Sequence, residues 1–218
     1  MSTAFPKPKN TFLKLAEAKR QKIDQALVLE FAENGYRKAS LNTIARQSGI
    51  AKGSLYQYFV NKEGIFLYVF DRFTDLVKEI LAKSGQPDQS DDFWGRVEQV
   101  LWAGVEFIDS HPQYYRLYLR VLFEHEVPRR EELIGRVRLF SMDYFRTLVL
   151  NGQQSGAIRS DITQAVAIFM FDAVLDRFLQ GYARSYLDAG LDLASKSQEE
   201  LADQVTMVMK VLREGLTT

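Results

Sequence analysis

Apolar residues recur along this chain three and four positions apart, the spacing that places them on one face of a helix. In the first such segment Ile23, Leu27 and Phe31 share a face, and Gly35 follows as a residue that can end a helix in the left-handed conformation. The same spacing continues almost to the end of the sequence, and no stretch alternates apolar and polar residues as a strand does. The pattern therefore predicts an all-α protein of about nine helices.

Capping residues, prolines and glycines predict where these helices begin and end. Ser40 or Asn42 caps a second helix that ends at Gly49, and Asn61 caps a fourth helix that fades near Ser84. The polar stretch from Ser84 to Asp92 is the clearest linker. The later helices are predicted from there to Ser110, from Pro112 to Phe123, from Pro128 to Gln154, from Ile162 to Ala189 with Gly190 closing it, and from Ser197 to Leu216.

Between Gly49 and Asn61 the pattern predicts one short helix, from Lys52 to about Phe59. Two helices joined by a short turn that contains glycine form the arrangement of a helix-turn-helix. With about 100° per residue, Leu55 and Phe59 share the side that packs on the preceding helices. The opposite side of this helix is then free to enter the major groove of DNA.

That outward side carries groups suited to reading DNA. A glycine lets the backbone approach a duplex closely, an amide offers a donor and an acceptor to a base edge, and phenolic hydroxyls bind phosphate oxygens. The predicted base-facing residues are Lys52, Gly53, Ser54 and Gln57, and the predicted phosphate contacts are Tyr56, Tyr58 and Lys62. A polar helix face that simply meets water has the same pattern, so the motif needs support from charge.

The distribution of charge favours a polyanionic partner for the first third of the chain. The 218 residues contain 28 basic and 28 acidic side chains. Through Glu63 there are 11 basic and 5 acidic residues, which leaves +6 there and −6 on the remainder. A basic segment on an acidic remainder favours a double-stranded DNA operator as the partner, and "FPKPKN" before the first helix either adds phosphate contacts or is a frayed terminus.

Composition excludes several other classes of function. The chain has no cysteine, so disulfides, thiolate metal sites and a thiol nucleophile are excluded. It begins without the apolar segment of a signal peptide and has no stretch of roughly 18 uncharged apolar residues. His111 and His125 lack metal-ligand spacing and catalytic motifs. We expect a cytoplasmic protein that is not an enzyme and uses no membrane, metal or cofactor.

The segment "IDQALVLEFAENGYRKASLNTIARQSGIAKGSLYQYFVNKEGI" resembles the DNA-binding domain of the tetracycline-repressor (TetR) family. The chain departs from the family pattern with Ser48 for alanine, Ile50 for valine, Ala51 for serine and Ile65 for leucine. Ala51 removes a possible capping hydroxyl from the recognition helix. The resemblance implies a DNA-binding domain at 1–63 and an effector-binding, dimerising domain at 64–218. It also implies phosphate contacts by Ser40, Tyr56, Tyr58 and Lys62, with Lys52, Gly53, Ser54 and Gln57 facing bases.

Aromatic residues lie on several helices of the second part of the chain. They are either ordinary core residues or, with a few polar groups, the lining of a small-molecule pocket. The resemblance implies a ligand between these helices, and we expect an apolar or aromatic effector. The candidate lining residues are Trp102, Tyr118, Phe140, Tyr144 and Phe169.

Asp172 and Asp176 are unusual because they share one face of the apolar segment "AIFMFDAVLDRFL". A carboxylate in such a segment is rarely buried without a partner. The two residues either line the pocket, paired with Arg116, Arg120 or a cationic ligand, or pair with an arginine across a dimer interface, or face water.

The last two predicted helices carry broad apolar stripes. The stripes are Ile168, Phe171, Leu175, Phe178, Leu179 and Tyr182 on the first helix, and Leu201, Val205, Val208, Met209 and Leu212 on the second. They either pack inside one chain or pair with a second copy, and the resemblance implies a homodimer built on these two helices.

These observations predict a DNA-binding regulator. The resemblance implies that it responds to a ligand and is a repressor, one that releases a palindromic operator when an effector binds its second domain. The helix from Lys62 to about Lys83 joins the two domains and would transmit the change. The alternatives are an enzyme, which the absent motifs disfavour, and an all-α interaction protein that does not bind DNA.

Overall fold

The computed structural model describes residues 5–83 and 92–216, with the side chains of residues 139–141 outside this description. The described ranges form ten α-helices and two short 3-10 helices and contain no strand. The α-helices are α1 (Asn10–Leu13), α2 (Glu17–Lys38), α3 (Leu41–Ser48), α4 (Lys52–Tyr58), α5 (Lys62–Lys83), α6 (Phe93–Ser110), α7 (Pro112–Phe123), α8 (Arg130–Gln154), α9 (Gln164–Ala183) and α10 (Gln198–Leu216).

The predicted caps around the helix-turn-helix are confirmed. The Ser40 side chain accepts a hydrogen bond from the backbone N–H of Thr43 at 3.3 Å, and Asn61 accepts from Gly64 at 2.8 Å. Gly49 closes α3 in the left-handed conformation, with φ 69° and ψ 34°. The start and end of α3 and the start of α5 are therefore specified by local capping residues.

Gly35 interrupts α2 in a way that differs from the prediction. Its φ is 66°, but its ψ is 175°, so it adopts an extended conformation accessible essentially to glycine rather than a left-handed helical one. The helix resumes for one turn after this kink and ends at Lys38.

Later boundaries also differ from the predicted ones. The predicted helix from Ile162 to Ala189 is shorter, since α9 ends at Ala183 and a 3-10 helix, Ser185–Leu187, follows. Pro128 precedes α8 by two residues, whereas Pro112 does open α7. The short α1 was not predicted, and the predicted linker from Ser84 to Asp92 lies outside the described residues except for Asp92.

Packing divides the described residues into two units. The first unit contains the residues up to Val77 together with His111–Arg136, and the second contains Lys78–Ser110 and the residues from Val137 onward. Helices α5 and α8 each contribute to both units. The functional division at residue 63 that the resemblance implies remains a prediction.

The first unit is built around phenylalanine. Its largest fully buried side chains include Phe12, Phe31, Phe59, Phe66 and Phe70. Phe31 and Phe66 meet edge to face with ring centroids 5.1 Å apart, which joins α2 to α5. Such pairs add stabilisation beyond simple burial of area, so this core holds the short helices of the DNA-binding motif.

Helix α7 packs against α2 within the same unit. The Nε of Arg120 donates to the carbonyl oxygen of Ala32 at 2.6 Å, and its guanidinium also bonds the carbonyl of Glu33 and the carboxylate of Glu124. These carbonyls lie just before the kink at Gly35, where the helical hydrogen-bond ladder is broken. Arg120 thus supplies the donors that the kink removes.

The second unit has its own apolar core from α6, α8, α9 and α10. Fully buried members include Val97, Leu101, Phe171 and Val205. Two glycines let helices approach closely, because a Cβ at Gly104 would meet Leu179 and one at Gly152 would meet the ring of Phe93. Of the helices described, none is long and apolar enough to cross a membrane.

Candidate nucleic-acid interface

Helices α3 and α4 place one short helix at the surface with its apolar side inward. Leu55 and Phe59 are buried, as their predicted shared face requires. The Ser48 hydroxyl, which stands where the family pattern has alanine, donates to the carbonyl of Ile44 and is itself buried. The departure at Ser48 is therefore accommodated inside α3.

The opposite side of α4 is open. Lys52, Gly53, Tyr56 and Gln57 are exposed, and Ser54 is partly exposed. No described atom lies within 4 Å of the position that a Cβ on Gly53 would occupy, so another backbone or a duplex can approach closely there. The four residues predicted to face bases, Lys52, Gly53, Ser54 and Gln57, therefore lie together on one accessible surface.

Tyr58 departs from the prediction. Its side chain is only 7% exposed, and its ring packs against Phe12 with centroids 5.7 Å apart. Sequence periodicity placed Tyr58 on the flank of α4, but α1 covers that flank. The Tyr58 ring is therefore part of the core of the first unit. A phosphate contact by Tyr58, still a prediction, would be made by its hydroxyl.

Lys62 is also engaged within the protein. Its Nζ donates to the carbonyl oxygen of Arg37 at 3.1 Å and lies 5.2 Å from the centre of the Tyr36 ring. Burial lowers the pKa of Lys62, and the nearby Glu30 opposes that shift. A phosphate contact by Lys62, still a prediction, would have to compete with the bond that now closes the end of α2.

Glu30 has a structural role that was not predicted from the sequence. Its side chain is 4% exposed, and it accepts a hydrogen bond from the backbone N–H of Ser40 at 2.7 Å. This bond fixes the start of α3 from α2, while Ser40 itself caps α3 and remains partly exposed. The position of this glutamate on the apolar side of a helix could have indicated its role, because a buried charge needs a hydrogen-bond partner or an ion-pair partner.

The segment before α2 is ordered against α4 rather than frayed. The backbone N–H of Lys9 donates to the carbonyl of Tyr58 at 2.8 Å, and Lys9 Nζ donates to the carbonyl of Tyr56 at 2.8 Å. The hydroxyl of Thr11 donates to the carbonyl of Gln57 at 2.7 Å. The predicted phosphate contacts of this tail are replaced, for Lys9, by a contact with the recognition helix.

The residues nominated for an effector pocket do not form one group. Trp102 and Tyr144 are partly buried in the second unit. Tyr118 belongs to the first unit, where it stacks on Phe73 with centroids 5.3 Å apart. Phe169 is 68% exposed, so its assignment as a pocket residue is corrected to a surface residue. The side chain of Phe140 lies outside the described residues.

Asp172 and Asp176 have a partner that was not among the predicted ones. Arg138 on α8 forms an ion pair with Asp172 and a second with Asp176, the latter at 2.9 Å. Burial raises the pKa of Asp176, while Arg138 lowers it and the neighbouring Asp172 raises it further. Arg116 and Arg120 are not the partners, and neither carboxylate is simply solvated.

The apolar stripes of the last two helices mostly face inward. Ile168, Phe171 and Leu175 on α9 are buried, as are Val205 and Leu212 on α10. The exposed apolar residues of α9 and α10 lie on an adjacent face of these helices, where they form an open groove of about 320 Å³. Its lining includes Met170, Val174, Met207, Val208 and Val211.

Comparison with protein families matches both parts of the chain. A model described as bacterial regulatory proteins, tetR family, matches residues 23–69, and one described as a tetracyclin repressor-like C-terminal domain matches residues 91–217. The chain belongs to the TetR family. Members of this family are transcriptional regulators, and this chain is a DNA-binding regulator whose DNA-binding motif is the helix-turn-helix described above.

Individual TetR-family relatives support the assignment over most of the chain. The probable acrEF/envCD operon repressor of Escherichia coli is 24% identical over 191 residues, which are 85% of this chain and 84% of that protein. The HTH-type transcriptional repressor SCO4008 of Streptomyces coelicolor is 25% identical over 205 residues, 86% of this chain and 97% of that protein.

Solved structures agree with the fold. A TetR-family regulator from Chloroflexus aurantiacus is 26% identical with a TM-score of 0.76, covering 97% of this chain and 99% of that one. FadR from Bacillus subtilis, solved in complex with stearoyl-CoA, has a TM-score of 0.68 at 18% identity and covers 90% of this chain and 98% of that one. At that lower identity the likeness concerns the fold alone.

Proposed function

We propose that this TetR-family regulator is a repressor that binds a palindromic operator as a homodimer and releases it when a small apolar or aromatic molecule binds the second unit. The observation that carries the proposal is the surface of α4. A seven-residue helix fixed by buried Leu55 and Phe59 exposes Lys52, Gly53 and Gln57 together. A helix of this kind, placed second in a helix-turn-helix, enters the major groove.

Each exposed group of α4 has a role that its chemistry supports. Gln57 pairs an amide donor and acceptor with a base edge, and Lys52 reaches a guanine edge or a phosphate. Tyr56, exposed beside them, donates to a phosphate oxygen. Ser40 lies at the start of α3, where its side chain and the helix N-terminus both favour a phosphate.

The groove between α9 and α10 supports the homodimer. Val211 and Met207 are exposed apolar residues there, and Phe169, Met170 and Val166 extend the apolar surface along α9. A contiguous apolar surface of this kind is unfavourable in water and marks an interface. A two-fold dimer presents two recognition helices, which matches the symmetry of a palindromic site.

The core of the second unit supports an apolar or aromatic effector. The indole Nε1 of Trp94 and the hydroxyl of Tyr144 are buried without a hydrogen-bond partner among the described residues. Burial raises the pKa of Tyr144, which keeps this hydroxyl a neutral donor. Two unmet donors in an aromatic core suit a mostly apolar molecule with a hydrogen-bond acceptor. A regulator of the same fold binds stearoyl-CoA, an example of a ligand with a long apolar part.

Release of the operator follows from linkage. An effector that binds better when the recognition helices are wrongly placed shifts the population toward that state. DNA must then weaken effector binding by the same factor, on the order of 5–150-fold in typical cases. Helices α5 and α8 carry the change, because each continues from one unit into the other.

Selection of bound duplexes from a random pool at fixed, stated salt tests the proposal directly. A pseudo-palindrome with half-sites about one helical turn apart is expected. Operator recognition by α4 would be contradicted if no sequence were enriched and if salt abolished a weak binding equally for all duplexes. The selected operator then serves to screen apolar and aromatic compounds that carry an acceptor group for release of DNA.

A further inference from the structure

Helix α4 is too short to be stable by itself. It contains seven residues, and its N-cap, Ala51, has no side-chain acceptor. Isolated helices shorter than about 12–15 residues are marginal in water, and the last carbonyls of every helix lack partners within the helix. The element that reads DNA therefore depends on contacts from outside itself.

Those contacts come from residues 5–12, which we name the N-terminal strap. Its three hydrogen bonds reach three consecutive carbonyls at the end of α4, those of Tyr56, Gln57 and Tyr58. The donors are Lys9, through both its backbone and its ammonium group, and Thr11 through its hydroxyl. The strap thereby does for the end of α4 what a C-capping motif does for an ordinary helix.

Two phenylalanines anchor the strap at its ends. Phe12 is fully buried, and its ring meets those of Phe59 and Tyr68 with centroids 5.0 and 5.5 Å away. Phe5 is also buried, and the guanidinium of Arg136 lies 3.6 Å from the centre of its ring, with that of Arg129 at 4.7 Å. Cation–π contacts of this kind favour a fixed position for the ring.

We propose that the N-terminal strap is a positioning element of the recognition helix, in which Lys9 and Thr11 hold the end of α4 and Phe5 ties the strap to the beginning of α8. The strap acts through α4 and does not itself read bases. The inference rests on the proposed DNA-reading role of α4. It places part of the operator affinity in residues that precede the whole helix-turn-helix motif.

A positioning role and a phosphate contact have different signatures. Removing a phosphate contact lowers affinity for every duplex, and where the contact is a lysine or arginine it also reduces the salt dependence by about one ion. Removing a positioning contact lowers affinity for the operator more than for unrelated DNA and leaves the salt dependence unchanged. Thr11→Val removes the hydroxyl without changing charge or branching. The comparison of operator with unrelated DNA, and amide exchange measured without DNA, therefore make the distinction for this variant.

The test uses the full chain with three variants, Thr11→Val, Thr11→Ser and Gln57→Ala. Affinities for the operator and for an unrelated duplex are measured by fluorescence anisotropy at several salt concentrations. Hydrogen exchange of the α4 amides is measured without DNA. Thr11→Val is expected to speed exchange at Tyr56–Phe59 and to weaken operator binding about three- to tenfold, at unchanged salt slope. Thr11→Ser, which keeps the hydroxyl donor, is expected to show the amide exchange and the operator affinity of the wild type.

Each other outcome is informative. Unchanged exchange in Thr11→Val would overturn the strap. Faster exchange with unchanged operator affinity would also overturn it, provided that Gln57→Ala does weaken binding. If Gln57→Ala is silent as well, the fault lies in the groove assignment of α4 and thus in the proposed function. An equal loss of affinity for the operator and for unrelated DNA in Thr11→Val would show a role in the DNA contact itself and would overturn positioning.

The anchor at Phe5 has its own comparison. Phe5→Ala is expected to speed exchange at the end of α4 and to weaken operator binding by a similar factor, because the strap loses its attachment at Arg136. Leu13→Ala, which removes an exposed apolar side chain at the residue that follows the strap, is the matched control. Equal behaviour of the two variants would remove Phe5 from the proposal.

Discussion

The carboxylate of Glu124 lies directly against the α-carbon of Gly35. A Cβ added to Gly35 would stand 2.4 Å from Glu124 Oε2, closer than real side chains ever come. The same carboxylate is paired with Arg120, whose guanidinium holds the carbonyls of Ala32 and Glu33. Because Gly35 has no side chain, the kink in α2 can pack closely against Glu124, the residue that follows α7.

Gly35→Ala is expected to destabilise the protein by about 1–3 kcal/mol, because its backbone conformation is essentially restricted to glycine and Glu124 must move. The free energy of unfolding in denaturant measures this. Gly135→Ala on α8 is the control, since nothing described lies within 4 Å of its Cβ position and alanine favours a helix by up to about 1 kcal/mol. A Gly35→Ala variant as stable as the wild type would contradict this account.

Gln57→Ala and Lys52→Ala are each expected to cost about 1–3 kcal/mol of operator affinity and to relax preference at one base position. Binding to the selected operator and to single-base variants of it measures both effects. Lys210→Ala, which removes an exposed lysine from α10, provides the charge-matched control and should leave operator preference intact. Preference unaltered in both α4 variants would place sequence reading elsewhere.

Arg138→Met is expected to destabilise the second unit at neutral pH by about 1–3 kcal/mol, reduced from the value for fully buried pairs because the three side chains are 20–32% exposed. The variant leaves two neighbouring carboxylates without their cation. Burial already raises the pKa of Asp176 in the wild type, with Asp172 contributing.

The pH dependence of this loss has a definite sign. A carboxyl whose folded pKa is raised binds its proton more tightly in the folded state, so it favours folding as pH falls through that pKa. Arg138→Met should therefore recover relative stability on going from pH 7 toward about pH 5. Adding Asp172→Asn and Asp176→Asn to Arg138→Met should remove most of the loss at pH 7, and a pH-independent deficit would count against the ion-pair explanation.

Val211→Glu is expected to convert the homodimer to monomer, because it places a charge in the apolar groove of α9 and α10, where Val211 is 68% exposed. Sedimentation velocity measures the change, and operator affinity should fall with it. Leu150→Glu replaces another exposed apolar residue, on α8 and outside the groove lining, and should remain dimeric. A dimeric Val211→Glu variant would move the interface to another surface.

The parts of the structure that local chemistry specifies could be predicted from the sequence. Periodicity placed Leu55 and Phe59 on the buried side of α4, and capping residues located the turns at Ser40, Gly49 and Asn61. The base-facing surface of α4 follows from the same geometry, because removing one face of a short helix from water leaves the other exposed.

The features that the sequence did not predict depend on contacts between distant segments. Tyr58 is buried because α1, far away in sequence, covers it, and α1 itself is too short for its pattern to be recognised. The pairing of Arg138 with Asp172 and Asp176 joins different helices, and nothing in the spacing within α9 identifies that arginine. Likewise, hydrophobic stripes identify which side of a helix is apolar but not whether its own chain or a second copy covers it.

The packing of α7 on α2 limits how this regulator can be recombined with others. The unit that holds the recognition helix is assembled from two separate stretches of the chain, since α7 belongs to it as fully as α3 and α4 do. A hybrid that joined residues 1–63 to the body of another protein would leave the carbonyls of Ala32 and Glu33 without Arg120. A hybrid that joins this DNA-binding domain to another effector-binding domain must therefore also include the stretch Pro112–Phe123.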